Sequence, residues 1–349
     1  MALIEYRFAP GIDKQSSDSG AENRWIDSDN VRFRYGQPEK VGGWSSLVTD
    51  TIVGVARAMH AFTDLAGNRY VAIGTDKFLL LYFEGQLHDI TPLKTTLTSA
   101  TIATTNASPT CTITKATHGL AVGDIVQLDS VTLPSGTGFS ASDFEDKNFQ
   151  VITVPTSSTF TITQSSNASG TVSTGGSLSI KPYEPVGPRA QSYGYGWGIA
   201  GWGDGNWGEA ATASEVSLEP GLWSLDNFGQ VLIASVANGK TFTWNGGAAS
   251  ALDNRASTTT SGFETNNNPT ATRLTLISPT TRHLIHLATE TTIGTTTTQD
   301  DMFIRFSDQE GINTYAPSAV NTAGTQRLQD GTKIMGELKA KESILIWTD

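Results

Sequence analysis

Cysteine is nearly missing from this chain of 349 residues: Cys111 stands alone, so no internal disulfide can form, and no Cys/His spacing resembles a zinc site. Basic side chains are scarce, 23 Lys and Arg against 34 Asp and Glu, a formal charge of -11. A grip on nucleic acid draws its energy from Lys and Arg that displace condensed counterions, so this charge argues against one. Long apolar runs are missing too. None approaches the length that crosses a bilayer, and Glu5 interrupts the start where a secretion signal would be apolar. The expectation is a protein with no membrane anchor, made and used without its own secretion signal.

Ser and Thr together number about 80, with 35 Gly and only 16% charged residues, well away from ordinary usage. Thr favours strands and Gly the tight turns between them, which is the composition of an all-β protein. The length suggests two or three domains.

Residues 1–50 read as an extended arm with a single strand, Asn30 to Tyr35, in which apolar Val31 and Phe33 alternate with Arg32 and Arg34. From about residue 55, hairpins follow one another. Ala58 to Phe62, Tyr70 to Gly74 and Phe78 to Phe83 form a first set, and residues 222–244 a second, with a turn at Asp226 to Gly229 and a tight Asn238-Gly239. Asn-Gly is a two-residue hairpin signal because both positions take positive φ. Arg282 to Leu287 with Met302 to Phe306 make a third set, and a fourth runs from Lys333 to Trp347. Recurring antiparallel units suggest a β-propeller-like host domain over 51–94 and 182–349, with a multi-hairpin sandwich as the competing architecture. Residues 95–181 read as an inserted small β-sandwich or barrel with four strands, at Thr112 to Thr114, Ile125 to Leu128, Phe149 to Ile152 and Thr159 to Thr163. The apolar strand at Ile344 to Trp347 would leave an unpaired edge. Two expectations follow: the chain is a fragment, or a strand of the arm closes the ring.

The conspicuous stretch is 193–208, where Tyr193, Tyr195, Trp197, Trp202 and Trp207 sit among glycines. Aromatics on such a backbone suit a protein interface, packing on a neighbouring blade, or sugar stacking. Its glycines lack the Lys-Ser/Thr and the strand-to-helix setting of a phosphate loop. His283 and His286 lie three apart in a strand, hence on opposite faces and unsuited to joint metal ligation. His118, before Gly119, reads as a turn residue. The acidic groups at Asp27-Ser28-Asp29, Asp143 to Asp146 and Asp300-Asp301 lack the periodicity of a calcium loop and read as solvated turns. No nucleophilic triad is recognisable. The expectation is therefore no catalytic, cofactor-binding or metal residue, with Arg32, Arg34 and the five aromatics as candidate interface.

Two separated stretches resemble a known family. Asn23 to Trp44, with Arg24-Trp25-Ile26-Asp27 and Val31-Arg32-Phe33-Arg34-Tyr35-Gly36, resembles the start of the tail nozzle proteins (tail tubular protein B-like) of short-tailed bacteriophages. Met302 to Gly311, followed by Tyr315-Ala316-Pro317 and Asn321 to Gly324, is similar to a second stretch of them, departing from the usual Arg-Trp-Ser-Asp form at Phe306. The resemblance implies a structural virion protein assembled in the host cytoplasm, a homo-oligomeric ring, typically a hexamer, below the tail adaptor ring. It would line the channel through which genomic DNA leaves without being specifically bound, and carry fibres or spikes outside. An acidic wall repels the DNA backbone, which fits the charge. Arg32 and Arg34 are expected to pair with acids of a neighbouring blade or subunit, and Gly42-Gly43 to turn Trp44 inward. The competing reading is a glycan-binding module or depolymerase of a phage tail, with the aromatic loop stacking sugars.

Overall fold

The computed structural model describes residues 8–189, 220–258 and 268–349. It divides into two units, Met1–Thr49 and Asp50–Asp349. Among the described residues it is an all-β chain, with helix confined to single 3-10 turns such as Ala141–Asp143 and Ala251–Asp253.

The first unit contains a hairpin rather than one strand. β1 (Val31–Arg34) pairs with β2 (Gln37–Lys40) across Tyr35-Gly36, both at positive φ (51° and 82°), the geometry of a two-residue turn that matches strand twist. β2, Gln-Pro-Glu-Lys, is wholly exposed, so no apolar alternation marks it, and its proline is tolerated because the ribbon has only two strands.

In the second unit, four antiparallel sheets follow in chain order. The first is β3 (Ala56–Thr63), β4 (Arg69–Thr75), β5 (Leu79–Phe83) and β6 (Gln86–Asp89). The second is β14 (Trp223–Phe228), β15 (Val231–Val236) and β16 (Thr241–Asn245). The third is β17 (Leu274–Ile277), β18 (Leu284–Leu287), β19 (Phe303–Phe306) and β20 (Gly324–Arg327). The fourth is the hairpin β21 (Ile334–Lys339) with β22 (Ile344–Thr348). Each is a meander, the blade-like unit expected from the hairpin pattern.

The sheets pack face to face in series. Phe62, Tyr70, Leu79 and Leu81 of the first sheet meet Leu232, Ala234, Phe242 and Trp244 of the second. The opposite side of β15, Val231 and Ile233, meets Ile277 and Leu284 of the third. The other face of that sheet, Leu276, Leu287 and Ile304, meets Ile334, Ile344 and Ile346 of the fourth. Alternate residues of one strand thus serve different interfaces, and all six residues of β15 are buried. Gly74 permits a close approach of the first and second sheets: a Cβ there would lie 2.6 Å from the Trp223 ring, whose Nε1 donates to the Thr75 carbonyl at 3.0 Å.

In chain order, a seven-stranded half-barrel is inserted between β6 and β14. Its strands are β7 (Leu97–Thr104), β8 (Thr110–Thr114), β9 (Ile125–Thr132), β10 (Asn148–Gln150), β11 (Thr153–Thr156), β12 (Thr159–Thr163) and β13 (Val172–Pro182), in the order β10-β9-β13-β7-β8-β12-β11. Seven strands replace the four expected from sequence, because β7, β11 and β13 are rich in Ser, Thr and Gly and carry little apolar signal. Register shifts along β13 bend the sheet around its core of Ile102, Ile113, Leu128, Phe160 and Ile180. Gly176, at φ 69°, is obligatory in that bend, since a Cβ would stand 2.1 Å from the Thr132 carbonyl. The chain enters and leaves side by side, with Lys94 N–H donating to the Pro182 carbonyl at 2.8 Å and Glu184 N–H to Pro92 at 2.9 Å.

The Asn238-Gly239 loop differs from its expected form. Asn238 takes positive φ (59°) and Gly239 does not. The loop is longer than two residues, closed by Val236 N–H to the Lys240 carbonyl at 3.1 Å.

Candidate functional site

The first strands of the four stacked sheets converge on Asp226. Its side chain is 3% exposed, a costly place for a carboxylate unless it is paired and hydrogen-bonded. Both conditions hold. Oδ2 accepts the Ile277 N–H of β17 at 2.5 Å, Oδ1 accepts the Asn227 N–H at 2.8 Å, and the Lys339 ammonium of β21 forms an ion pair with Oδ2. His60 of β3 lies 3.9 Å from Oδ1, while its Nε2 bonds Asn227 Oδ1 at 2.8 Å. One buried anion therefore touches all four sheets. Glu337, near it on β21, is held above the usual carboxylate range by burial and by the Asp226 charge. Two carboxyls with different environments are what acid–base chemistry uses, yet the Asp226 oxygens are occupied by backbone N–H groups and a lysine. The arrangement makes it an anchor. Sequence reasoning placed Asp226 in a turn, since Asp-Asn-x-Gly is turn chemistry; the β14 strand instead runs through to Phe228.

A second cluster fastens the half-barrel to the first sheet. Tyr183 donates from its hydroxyl to Asp89 Oδ2 at 2.7 Å, and Arg255 donates to that hydroxyl at 2.9 Å while pairing with Asp89 at 3.1 Å. The Arg255 guanidinium also lies 4.8 Å from the Tyr183 ring centroid. Burial and the Asp89 charge raise the Tyr183 pKa, so the phenol stays a neutral donor.

The third cluster accounts for the stretch 302–322. Arg305, 5% exposed, donates to the carbonyls of Thr291 (2.8 Å), Glu290 (3.2 Å) and Tyr315 (3.4 Å). Ser307 Oγ accepts the Leu284 N–H at 2.8 Å and donates to the Gly311 carbonyl at 2.6 Å. Asp308 accepts the Thr322 N–H at 2.8 Å, the Thr322 hydroxyl at 2.7 Å and the Gln309 N–H at 2.9 Å, and the Thr322 bonds first of all hold its carboxyl below the usual range. Tyr315 bonds His286 Nε2 at 3.0 Å. His286 is fully buried, and burial reinforced by Arg305 pushes its pKa down to about 3. The polar residues of the motif hold a long loop on the third sheet.

The sequence candidates fall in different places. Arg32 pairs with Glu39, its register partner on β2, at 3.1 Å. Arg34 lies 5.4 Å from the Tyr35 ring centroid. Among the described residues the acid that pairs with Arg32 is thus the one across its own hairpin. Trp44 is fully exposed, and neither Gly42 nor Gly43 takes positive φ, so the inward turn is not formed. Tyr193, Tyr195, Trp197, Trp202 and Trp207 lie outside the described residues. His118 is a turn residue as read, its Nδ1 accepting the Leu120 N–H at 3.1 Å. His283 bonds the Ser307 carbonyl at 2.7 Å, away from the partner of His286. The acidic groups find protein partners: Asp27 with Lys14 (3.1 Å), Asp143 with Ser140 (2.8 Å) and Asp300 with Arg327 (2.7 Å).

No protein-family model matches this chain, and no curated protein matches it. Among solved structures it is similar to the endosialidase of phage phi92, at 14% identity and a TM-score of 0.21, over 80% of this chain and 38% of that one. The chain thus spans well under half of that protein's length, and the superposition is too loose to carry an argument about fold or activity.

Proposed function

We propose that this protein is a structural component of a short phage tail, a nozzle subunit whose ring lines the DNA exit channel below an adaptor ring and carries fibres or spikes. The observation that carries the reading is what the two family-like stretches build. One is a hairpin cross-linked by Arg32 and Glu39, and the other a loop pinned by Arg305, Ser307 and Asp308. One uses its polar side chains to tie two strands together and the other to hold backbone, which suits a part selected for shape rather than for turnover. The stacked sheets and the charge of -11 support the same role, because an acidic wall lets a polyphosphate slide.

Negative-stain electron microscopy of the purified protein, alone and with its adaptor, tests this. Rings with a central channel are expected. Compact monomers under both conditions, together with glycan binding that depends on Trp197, Trp202 and Trp207, would overturn it in favour of the glycan-binding reading. An assembled lumen lined by Lys and Arg would refute the acidic-wall argument separately.

A further inference from the structure

The half-barrel meets the stacked sheets through few groups. Among the described residues, the hydrogen bonds that leave residues 97–182 end on Lys94 or Tyr183 of the connecting segments, and no hydrogen bond or ion pair runs from the half-barrel directly to a strand of the stack. Of its apolar side chains, Ile125 alone joins the cluster that Ile73, Phe78 and Leu80 of the first sheet form with Tyr183. The rest of the junction is open. Two adjoining crevices, of about 460 and 690 Å³, lie between Lys77 and Phe78 on one side and Val122 and Gln150 on the other, where a packed interior would leave no such space.

The connecting segments, by contrast, are firmly held by the stack. Leu93 and Tyr183 pair with each other across them. Thr91 Oγ1 accepts the Leu79 N–H at 2.9 Å, the Thr91 carbonyl accepts from Arg255 at 3.1 Å, and Glu184 pairs with Lys240 at 3.0 Å. Tyr183, 3% exposed, sets its ring edge-on to Phe78 at 5.5 Å. Its hydroxyl, bonded to Asp89 and Arg255, also lies 3.0 Å from Oδ1 of Asn148, an exposed residue of β10. A phenol has one proton for two acceptors, and the Asp89 carboxylate is the nearer and the charged one. Asn148 can therefore part from Tyr183 and turn to water while the phenol keeps its other partners.

The geometry points to a hinge. The half-barrel swings as one body about the Leu93–Tyr183 pair, the Tyr183 ring is the pin fixed in the stack, and Asn148 with Ile125 is the catch that holds the half-barrel against the first sheet. Two parts of a chain move relative to each other unless a large apolar interface prevents it, and a few residues at their connection absorb the motion. Here one apolar side chain and one shared hydrogen bond oppose the swing, and the crevices leave room for it. The inference goes beyond the ring reading and holds whether or not the chain assembles.

Distances between paired spin labels, measured by double electron–electron resonance on the full chain, test it. One label goes on Thr105→Cys, in the exposed β7–β8 turn, and the other on Leu65→Cys, 86% exposed in the β3–β4 turn. Cys111 is fully buried and escapes labelling in the folded protein. A control pair, Thr105→Cys with exposed Ser157→Cys, lies wholly within the half-barrel. The first pair should give two distances and the control pair one. Asn148→Ala should raise the minor distance of the first pair about 2- to 10-fold relative to the major one, the effect of losing one hydrogen bond. It should leave the urea midpoint of the half-barrel where it was, because an exposed side chain is all that is removed. Ile125→Ala should shift the same ratio in the same direction. A first pair as narrow as the control in both the parent and Asn148→Ala would overturn the hinge. A control pair that broadens equally would overturn it too, since the motion would then lie inside the half-barrel. Neither result touches the ring reading, which electron microscopy decides.

Discussion

The second stacked sheet and the half-barrel are both antiparallel, yet they are stabilised in different ways. β15 reads Val-Leu-Ile-Ala-Ser-Val and is buried on both faces, because sheets pack on each side of it. Its neighbours are distant in sequence, and the Asp226 anchor binds atoms from β14, β17 and β21 and lies close to His60 of β3. The half-barrel encloses one core with residues 97–182 alone, and the outward side chains of β7 and β12 are mainly Ser and Thr. The difference teaches that a continuous apolar strand marks shared burial, whereas alternation marks a sheet that can close on itself. Damage in the first region should spread through the stack; damage in the second should stay local.

The hardest break in the stack is Trp244→Ala. Trp244 is 1% exposed, its Nε1 donates to the Ala251 carbonyl at 3.0 Å and the Asn254 carbonyl at 3.1 Å, and it meets Tyr70 edge-on at 5.3 Å. Loss of this ring should cost about 3–5 kcal/mol, read as a drop in urea midpoint, and should weaken the first and second sheets together. Ile113→Ala in the half-barrel, about 2–5 kcal/mol by the same reasoning, should lower the half-barrel transition and leave the stack's. Replacing 95–181 by a short linker sharpens the contrast: the remainder should still unfold cooperatively. A non-cooperative remainder would show that the half-barrel belongs to the stack's core.

Much of this contrast was legible in the residues. The apolar runs at Tyr70 to Gly74, Phe78 to Phe83 and Val231 to Val236 became β4, β5 and β15 because burial needs apolar side chains wherever sheets stack. Strands held mainly by backbone pairing escaped notice. β2 is Gln-Pro-Glu-Lys, β6 is Gln-Leu-His-Asp and β20 is Gly-Thr-Gln-Arg, and none has a period that composition would reveal. The anchor escaped for another reason. Asp226 with its neighbours spells a turn, and the backbone N–H of Ile277 and the ammonium of Lys339 that make its burial tolerable come from 51 and 113 positions further along the chain. Spatial pairing of that kind leaves no local trace. The motif 302–322 was visible as a resemblance, but its physical content, a loop pinned through Arg305, Ser307 and Asp308, required the fold.

Between these extremes lies His286, which tests the third sheet through pH. Its folded pKa, about 3, lies below the ordinary value near 6.5, so the unfolded chain binds the proton more readily. The stabilisation is fully present above about pH 6.5 and is lost as pH falls toward about 3. Between pH 7 and pH 5 this amounts to about 2 kcal/mol, measured as a change in urea midpoint. His286→Gln, which can still bond Tyr315, should flatten that slope; an unchanged slope would assign it to another group. Glu337 has the opposite sign. Its pKa is raised, so stability should fall as pH rises through its range, and Glu337→Gln should be less sensitive there.

The smallest expected effect belongs to the residues the sequence made most prominent. Arg32 and Glu39 are 57% and 47% exposed, and an ion pair so wetted contributes about 0–1 kcal/mol and weakens with salt. Arg32→Ala should therefore leave thermal stability nearly unchanged, and the double variant with Glu39→Ala should match it within about 0.5 kcal/mol. If Arg32 serves a partner, the loss will appear instead in ring formation, and it will appear in Arg32→Ala but not in Glu39→Ala. A large fall in melting temperature for either would place the arm hairpin among the stabilising elements and remove Arg32 from the interface.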